Sequence, residues 1–423
     1  MRETLALALW GWAMRLATPL LLARWWWRGR QEPGYRVVMA ERLGFYDMRR
    51  PSGCGWFWLH AVSLGETLAA APLIEALRRQ EPDLRLLLTC TTATGREAGA
   101  KLLREGDAQC WLPLDTPGAT RRFFDFWQPR QGVLMETEVW PTLIAQAQRA
   151  GVPVDLANAR LSRKSLRSGQ RMAALLRPAA AGLRRVLAQS APDAEHLRCM
   201  GASRVEVAGN LKFDSKPEPE LLALGRRWRE AADRPVLLLA VSRDGEEAML
   251  LQALSAQRAS IRERPLILVV PRHPQRFDEV ASLLAEAGLR VARRSAWRAG
   301  LPPADAGAWL GDSMGEMPAY YAAADLAMLG GSFAPLGGQN LIQAAACGCP
   351  LLMGPSTFNF AAAAEEALAA GAAERCQDMA AATARALRLL DDSPARQRMA
   401  SAGLRFAASH QGAAERMAQQ LLS

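Results

Sequence analysis

The sequence predicts an α/β protein in which two doubly wound, Rossmann-like domains face each other across a cleft, behind an N-terminal membrane-associating helix. Three observations predict it. Short apolar runs alternate with longer stretches of helical spacing through about residue 213. A polar interval with two prolines (Pro217, Pro219) then breaks the pattern, which restarts at Val236. Ahead of both, the first 30 residues are apolar and basic, with Glu3 their sole acid.

The 423 residues suit two domains of ordinary size, and a composition that is 50% apolar excludes a disordered chain. Seven cysteines at scattered spacings do not make a disulfide framework, and the four histidines do not cluster. Buried thiols in a reducing cytoplasmic compartment fit better than a zinc site. No later stretch approaches about 18 uninterrupted apolar residues, which argues against a chain with several membrane-spanning helices.

The first element is the run Leu5–Ala23, broken by Arg15 and Pro19 and followed by Arg24, Arg28 and Arg30 around three tryptophans. Nine arginines and four acids fall in the first 50 residues, so this segment carries half of the formal net charge of +10. Five of the 13 tryptophans lie there too. A central arginine costs about 2.5–3.5 kcal/mol on insertion scales. Lying in the interface and spanning with Arg15 displaced toward a head group both stay open. Tryptophan beside arginine suits the head-group layer, and the positive flank places the rest of the chain in the cytoplasm. A cleaved signal peptide needs small residues where this run ends in Trp and Arg. A packing helix of a soluble domain is the plainer alternative.

Strands are then expected at Trp56–Val62, Leu84–Thr89, Gly132–Met135, Val152–Ala157 and Val186–Gln189, with helices such as Thr67–Arg79, Pro141–Arg149 and Ala191–Met200. Alternation of this kind argues for a mainly parallel sheet covered on both faces. The second series is Val236–Val241, Leu266–Val270, Leu289–Ala292, Ala308–Gly311, Leu326–Leu329 and Pro350–Met353, with an alanine-rich helix over Ala361–Ala373. The partition reads 1–32 membrane-associating segment, 33–214 first domain, 215–234 linker and 235–423 second domain with C-terminal helices.

In open α/β sheets ligands bind at the carboxyl ends of strands. After the first strand, Ser63 and Gly65 make a turn and Glu66 opens a helix. Glu66 suits either a helix-dipole partner or a general base for an acceptor hydroxyl. Glu136 and Glu138 end another strand just before Pro141 begins a helix; they read as solvated N-terminal acids or as groups that tune Glu66. Lys212, one of four lysines, sits at the interdomain edge, either exposed or able to neutralise a leaving phosphate. Arg272 and His273 follow the strand Leu266–Val270, where an arginine suits phosphate contact. Gly311–Glu316 follows one later strand, Gly330–Ser332 the next, and Gly337–Asn340 opens a helix. Such turns allow close backbone approach to a phosphate. None is a Walker loop or a dinucleotide fingerprint.

Taken in order, His60-Ala-Val-Ser-Leu-Gly-Glu66, Met135-Glu-Thr-Glu-Val-Trp-Pro141, Asn158-Ala-Arg-Leu-Ser162, Gly209-Asn-Leu-Lys-Phe-Asp214, Pro271-Arg-His-Pro-Gln-Arg-Phe277, Gly311-Asp-Ser-Met-Gly-Glu316 and Gly330-Gly-Ser332 through Gly337-Gly-Gln-Asn340 resemble the 3-deoxy-D-manno-octulosonic acid (Kdo) transferases. The match runs from about Pro33 to Phe360. The resemblance implies a B-type glycosyltransferase fold and inverting transfer of Kdo from CMP-Kdo to the lipid A precursor, at the cytoplasmic face of the bacterial inner membrane. It implies Glu66 as general base and Glu136 and Lys212 as transition-state stabilisers. It places CMP contacts on Arg272, His273, Met314, Gly315, Glu316, Asn340, Leu341, Ile342 and Gln343. No cofactor, metal or nucleic-acid partner is implied. The chain departs from the pattern in Gln339 for His, Gln343 for Glu, Ser242-Arg243 for Thr-His and Thr142 for Asn. Gln343 accepts through its carbonyl but without charge, which bears on nucleotide affinity. Two rivals remain: a B-type glycosyltransferase for another nucleotide sugar, and a non-catalytic, membrane-bound lipid-binding relative.

Overall fold

The computed structural model describes residues 2–47, 55–257, 265–297, 300–303 and 305–423. The chain divides into two compact units, Met1–Ser215 with Gln411–Ser423, and Lys216–His410.

The first unit holds seven parallel strands: β1 Trp56–His60, β2 Leu86–Cys90, β3 Ala108–Trp111, β4 Pro129–Met135, β5 Val154–Ala159, β6 Val186–Ala188 and β7 Val205–Val207, in the order β3-β2-β1-β4-β5-β6-β7. The sequence WFWLH of β1 shows why both faces are covered. Trp56 and Trp58 point into one core with Phe123, Leu134 and Leu156. Phe57 and Leu59 point into the other with Leu73, Val133 and Met417. The period-2 alternation of a strand thus splits one apolar run between two cores. Trp58 sets its neighbour: a Cβ at Gly132 of β4 would lie 2.5 Å from the indole, so only glycine fits beside it.

The second unit repeats the plan with β8 Val236–Ser242, β9 Leu266–Pro271, β10 Val291–Arg293, β11 Ala308–Leu310, β12 Leu326–Leu329, β13 Leu351–Met353 and β14 Ala373–Arg375, ordered β10-β11-β9-β8-β12-β13-β14 and parallel throughout. The strand order turns back at β1/β4 in the first unit and at β8/β12 in the second, where β10 and β11 also exchange places at the sheet edge. Those switch points are where an open α/β sheet offers a crevice.

Three expectations need correction. Residues 215–234 are not simply a linker. Pro219–Ala231 is a helix of the second unit, held by fully buried Trp228 and packed on the helix Met317–Ala323. The second domain also does not run to residue 423. The helix Ala413–Leu422 returns to the first unit and packs on Leu64–Gln80, burying Met417 and Leu421. The Asp214 carboxylate fixes that return by accepting from the backbone N–H groups of Gly412 (2.5 Å) and Ala414 (2.7 Å). Finally, the alanine-rich helix ends at Ala369, and Ala373 begins β14.

The N-terminal element is a helix, Arg2–Arg28, the one helix among the described residues that is long and apolar enough to cross a membrane. One face is docked on the first unit. Trp10 Nε1 donates to Asp115 Oδ2 (2.6 Å), and Gly11 is buried with its Cβ position 3.2 Å from Pro117. Farther along, the Arg42 guanidinium lies between the Trp25 and Trp111 rings, 4.0 and 3.8 Å from their centroids. Leu5, Leu9, Trp12, Leu16, Leu20 and Trp27 point the other way, each more than half exposed.

Candidate functional site

Each unit presents its predicted residues at the carboxyl ends of its own strands. In the first unit, β1 runs into Ala61-Val62 and the helix Leu64–Gln80 opens with Ser63 as its N-cap. The Glu66 carboxylate reaches back to accept from the Val62 N–H at 2.7 Å, with the Ser63 hydroxyl 3.4 Å away. With the Ser63 hydroxyl accepting the Glu66 N–H at 3.5 Å, this is a variant of the capping box in which the carboxylate reaches the N–H one residue before the cap. The loop after β2 closes over the same turn, where the Thr91 and Thr92 N–H groups donate to Val62 O (3.2 and 3.1 Å). Burial raises the Glu66 pKa to about 7; the Val62 N–H opposes that, while the charges of Glu136 and Glu138 add to it. Burial also raises Glu138, with Glu136 contributing.

Glu136 stands directly past β4 with φ +57°. Non-glycine residues enter that region at a cost, usually where the fold needs a side chain aimed. Its carboxylate meets Lys212 Nζ at 3.2 Å, and both side chains are largely buried, 16% and 19% exposed. Lys212 rides on the short 3-10 turn Leu211–Phe213, capped by Asn210, whose Oδ1 accepts the Lys212 N–H at 3.0 Å. Fully buried Asn158, itself at φ +52° where the β5–β6 register shifts between Leu156 and Ala159, accepts the Leu211 N–H at 3.1 Å and anchors that turn. The structure therefore brings Glu66, Glu136, Glu138 and Lys212 to one edge of the first sheet. His60 is not part of this set as a proton carrier. It is fully buried, burial lowers its pKa to about 4, and Nδ1 lies 2.9 Å from the Thr89 hydroxyl.

In the second unit, Arg272 and His273 follow β9 and are exposed. Burial and then the charges of Arg243, Arg272 and Arg276 lower the His273 pKa, so the ring is held neutral. Their loop is pinned by residues that sequence reasoning left without a role. Arg276 Nη1 pairs with buried Glu247 Oε1 at 2.9 Å, and that oxygen also accepts from the Ser242 hydroxyl at 2.6 Å. Met314 is 60% exposed and Gly315 adopts φ +86°. The Glu316 carboxylate is already held by Arg294 at 2.8 Å, with the Ser313 hydroxyl also donating to it. Asn340 caps the six-residue helix Leu341–Ala346, accepting the Ile342 N–H at 3.1 Å. Leu341 and Ile342 are buried in the core, so of the Asn340–Gln343 segment only the two polar residues are partly exposed.

The glycine-rich turn after β12 is built differently from the expectation that its backbone N–H groups would cradle a phosphate. Fully buried Glu246 occupies them. Its Oε2 accepts from Gly331 N–H (2.7 Å) and Arg243 N–H (2.9 Å), and its Oε1 from Phe333 and Ala334 N–H (3.1 and 3.3 Å). Gly330 lets the turn approach β8, since a Cβ there would lie 2.3 Å from Val241 O. Val241, a β-branched residue at φ +57°, sits in the bulge that shifts the β8–β9 register between Ala240 and Ser242. The signal for Glu246 was present in the sequence, because Glu246-Glu247 opens a helix after β8 as Glu66 does after β1. A cavity of about 630 Å³ beside this turn, lined by Phe333, Pro335, Phe358 and Arg375, includes none of the predicted contact residues.

Comparison with known proteins bears on what this geometry serves. Residues 38–215 match a family model described as 3-deoxy-D-manno-octulosonic-acid transferase. A 3-deoxy-D-manno-octulosonic acid transferase of Bordetella pertussis is 48% identical over 413 residues, 96% of each chain. The Haemophilus influenzae enzyme of the same name is 33% identical, covering 92% of this chain and 91% of its own. Among solved structures, a glycosyltransferase from Rickettsia africae superposes with a TM-score of 0.58 at 11% identity, covering 87% and 99% of the two chains. That last likeness concerns the fold alone.

Proposed function

The chain belongs to the 3-deoxy-D-manno-octulosonic acid transferase family and is a glycosyltransferase of lipopolysaccharide biosynthesis; from that premise we propose that it moves Kdo from CMP-Kdo to a glucosamine hydroxyl of the lipid A precursor in one inverting displacement. The observation that carries this reading is Glu66, a carboxylate whose pKa burial has brought to about 7, beside the Glu136–Lys212 pair. A general base works best when its pKa lies near the operating pH. Glu66 takes the proton from the acceptor hydroxyl as oxygen attacks the anomeric carbon. Lys212, fixed in direction by Glu136, supplies positive charge for the departing phosphate. Arg272 contacts the CMP phosphate, and neutral His273 donates or accepts without adding charge. With the N–H groups of the glycine turn occupied by Glu246, the load on Arg272 and Asn340 is greater than the glycine pattern implied.

The N-terminal helix bears on where the reaction takes place. From Trp10 to Trp25, about 22 Å of helix, one side rests on the first unit, while the opposite side is a row of leucine and tryptophan. A helix fastened along its length to an α/β unit does not cross a bilayer, so we place it in the interface plane with its outer face in lipid. The positive residues around it suit the anionic cytoplasmic leaflet of the inner membrane.

Mass analysis of products from CMP-Kdo and purified lipid A precursor tests donor and acceptor together. Glu66→Gln is expected to bind CMP as the parent does and to lose transfer by orders of magnitude. Retained turnover in that variant removes Glu66 as the base.

A further inference from the structure

A second concave site lies in the first unit, along the seam between the N-terminal helix and the helices Pro117–Trp127 and Pro141–Arg149. It is a cavity of about 470 Å³ into which each of the three helices contributes one arginine: Arg15, Arg121 and Arg149. Asp125 is the carboxylate among the lining residues, and Phe124 with Pro117 provides an apolar wall. Three guanidinium groups gathered against one carboxylate repel one another unless an anion joins them. Their planar forks match phosphate oxygens, and the helix that starts at Pro117 turns its positive end to the same place.

The position of Arg15 says what carries the phosphate. At 3.6 residues per turn, Trp10 and Gly11 lie on the docked side of the N-terminal helix and Leu5, Leu9, Trp12, Leu16 and Leu20 on the outer side. Arg15 falls on the flank between them, its guanidinium 5.0 Å from the Trp12 ring. With the outer face in lipid, that flank is at the depth of head groups. The arginine that interrupts the apolar run is thereby placed where an anion on a lipid is found.

We propose that Arg15, Arg121 and Arg149 form a binding site for a phosphate carried on a membrane lipid, either a bilayer head group or the acceptor glycolipid; this rests on the in-plane reading of the helix. The test uses the full chain and the triple variant Arg15→Gln, Arg121→Gln, Arg149→Gln, all at exposed positions that leave the fold alone. A second triple, Arg163→Gln, Lys164→Gln, Arg167→Gln, removes equal charge from an exposed helix elsewhere. Partition is measured onto phosphatidylcholine vesicles with and without 20 mol% phosphatidic acid, a composition of about one lipid in five carrying a phosphomonoester. At roughly fivefold per cation, the first triple should bind the acidic vesicles about a hundredfold more weakly, with neutral vesicles unaffected and the second triple close to the parent. That result assigns the phosphate to a bilayer head group. A comparable rise in acceptor KM in detergent at unchanged kcat assigns it to the acceptor. Equal losses in both triples, or no change in either measurement, overturn the site. Failure of the parent to transfer Kdo would sink the transferase reading while leaving the vesicle measurement intact.

Discussion

At Glu66 one carboxylate caps a helix and, in the proposed mechanism, also accepts a proton, and its surroundings set these tasks against each other. Burial and the charges of Glu136 and Glu138 hold the proton on, with the Val62 N–H opposing them, and the pKa comes to about 7. Transfer should therefore climb with pH through about 7 and level off above it, measured as kcat/KM against pH. Glu136→Gln removes one of the charges that raise this pKa, so the rising limb should move to lower pH even where the plateau falls. The same shift has a stability consequence. The folded pKa lies above the ordinary carboxylate value, so the favourable contribution is complete at pH below that ordinary value and is lost as pH rises through about 7. Glu66→Gln should accordingly be more stable than the parent at pH 8, by about 1–2 kcal/mol after allowance for solvent, and unfold at a higher temperature. The gain should shrink toward pH 5. A stabilised, inactive variant is the pattern expected of a site residue held at a cost.

Among the elements, the turn after β12 shows the strongest local dependence on one side chain. Four backbone N–H groups from two loops converge on Glu246. Glu246→Ala leaves them buried without an acceptor and should destabilise the second unit by about 3–5 kcal/mol, with a smaller loss for Glu246→Gln. Thermal unfolding that resolves the two units is the check, with the transition of the first unit unmoved and CMP affinity reduced. This device also marks where sequence reading stops. The buried strands β1, β8 and β9 were legible because a strand covered on both faces is a continuous apolar run. The short strands β3, β7 and β14, only partly buried, carry no such run. Pro219–Ala231 was hidden because its charged outer side masks the inward Trp228. Glu66, Glu136 and Arg272 were legible by their place after strands. The grip of Glu246 on Gly331 was not, since it joins residues 85 apart in the chain and leaves no local spacing to read. Anchoring of the Lys212 turn by Asn158, across 53 residues, was hidden for the same reason.

For the molecule as a whole, the proposed in-plane placement would give the N-terminal helix two environments, protein on one side and lipid on the other, which decides how it can be removed. Deleting residues 2–28 would take lipid contact away, but it would also bare Trp111, Arg42 and Pro117 and strip Trp10 from Asp115. Asp115 is buried and also accepts the N–H groups of Thr142 (3.2 Å) and Leu143 (2.7 Å), so the start of the helix Pro141–Arg149 would be disturbed with it. The truncated chain should thus be less stable and prone to associate through the exposed apolar patch. Changing only the outer face, as in Leu9→Gln, Leu16→Gln and Leu20→Gln together, leaves those contacts in place. This variant should leave the membrane fraction while keeping the parent's melting temperature and CMP binding, because exposed positions contribute little to folding. Trp10→Phe should do the reverse: membrane association persists, and stability falls by about 1–2 kcal/mol as Asp115 loses its indole donor. Fractionation paired with melting curves separates the two faces. An outer-face variant that stays with the membrane would shift the weight of attachment from the leucine row to the arginines beside it.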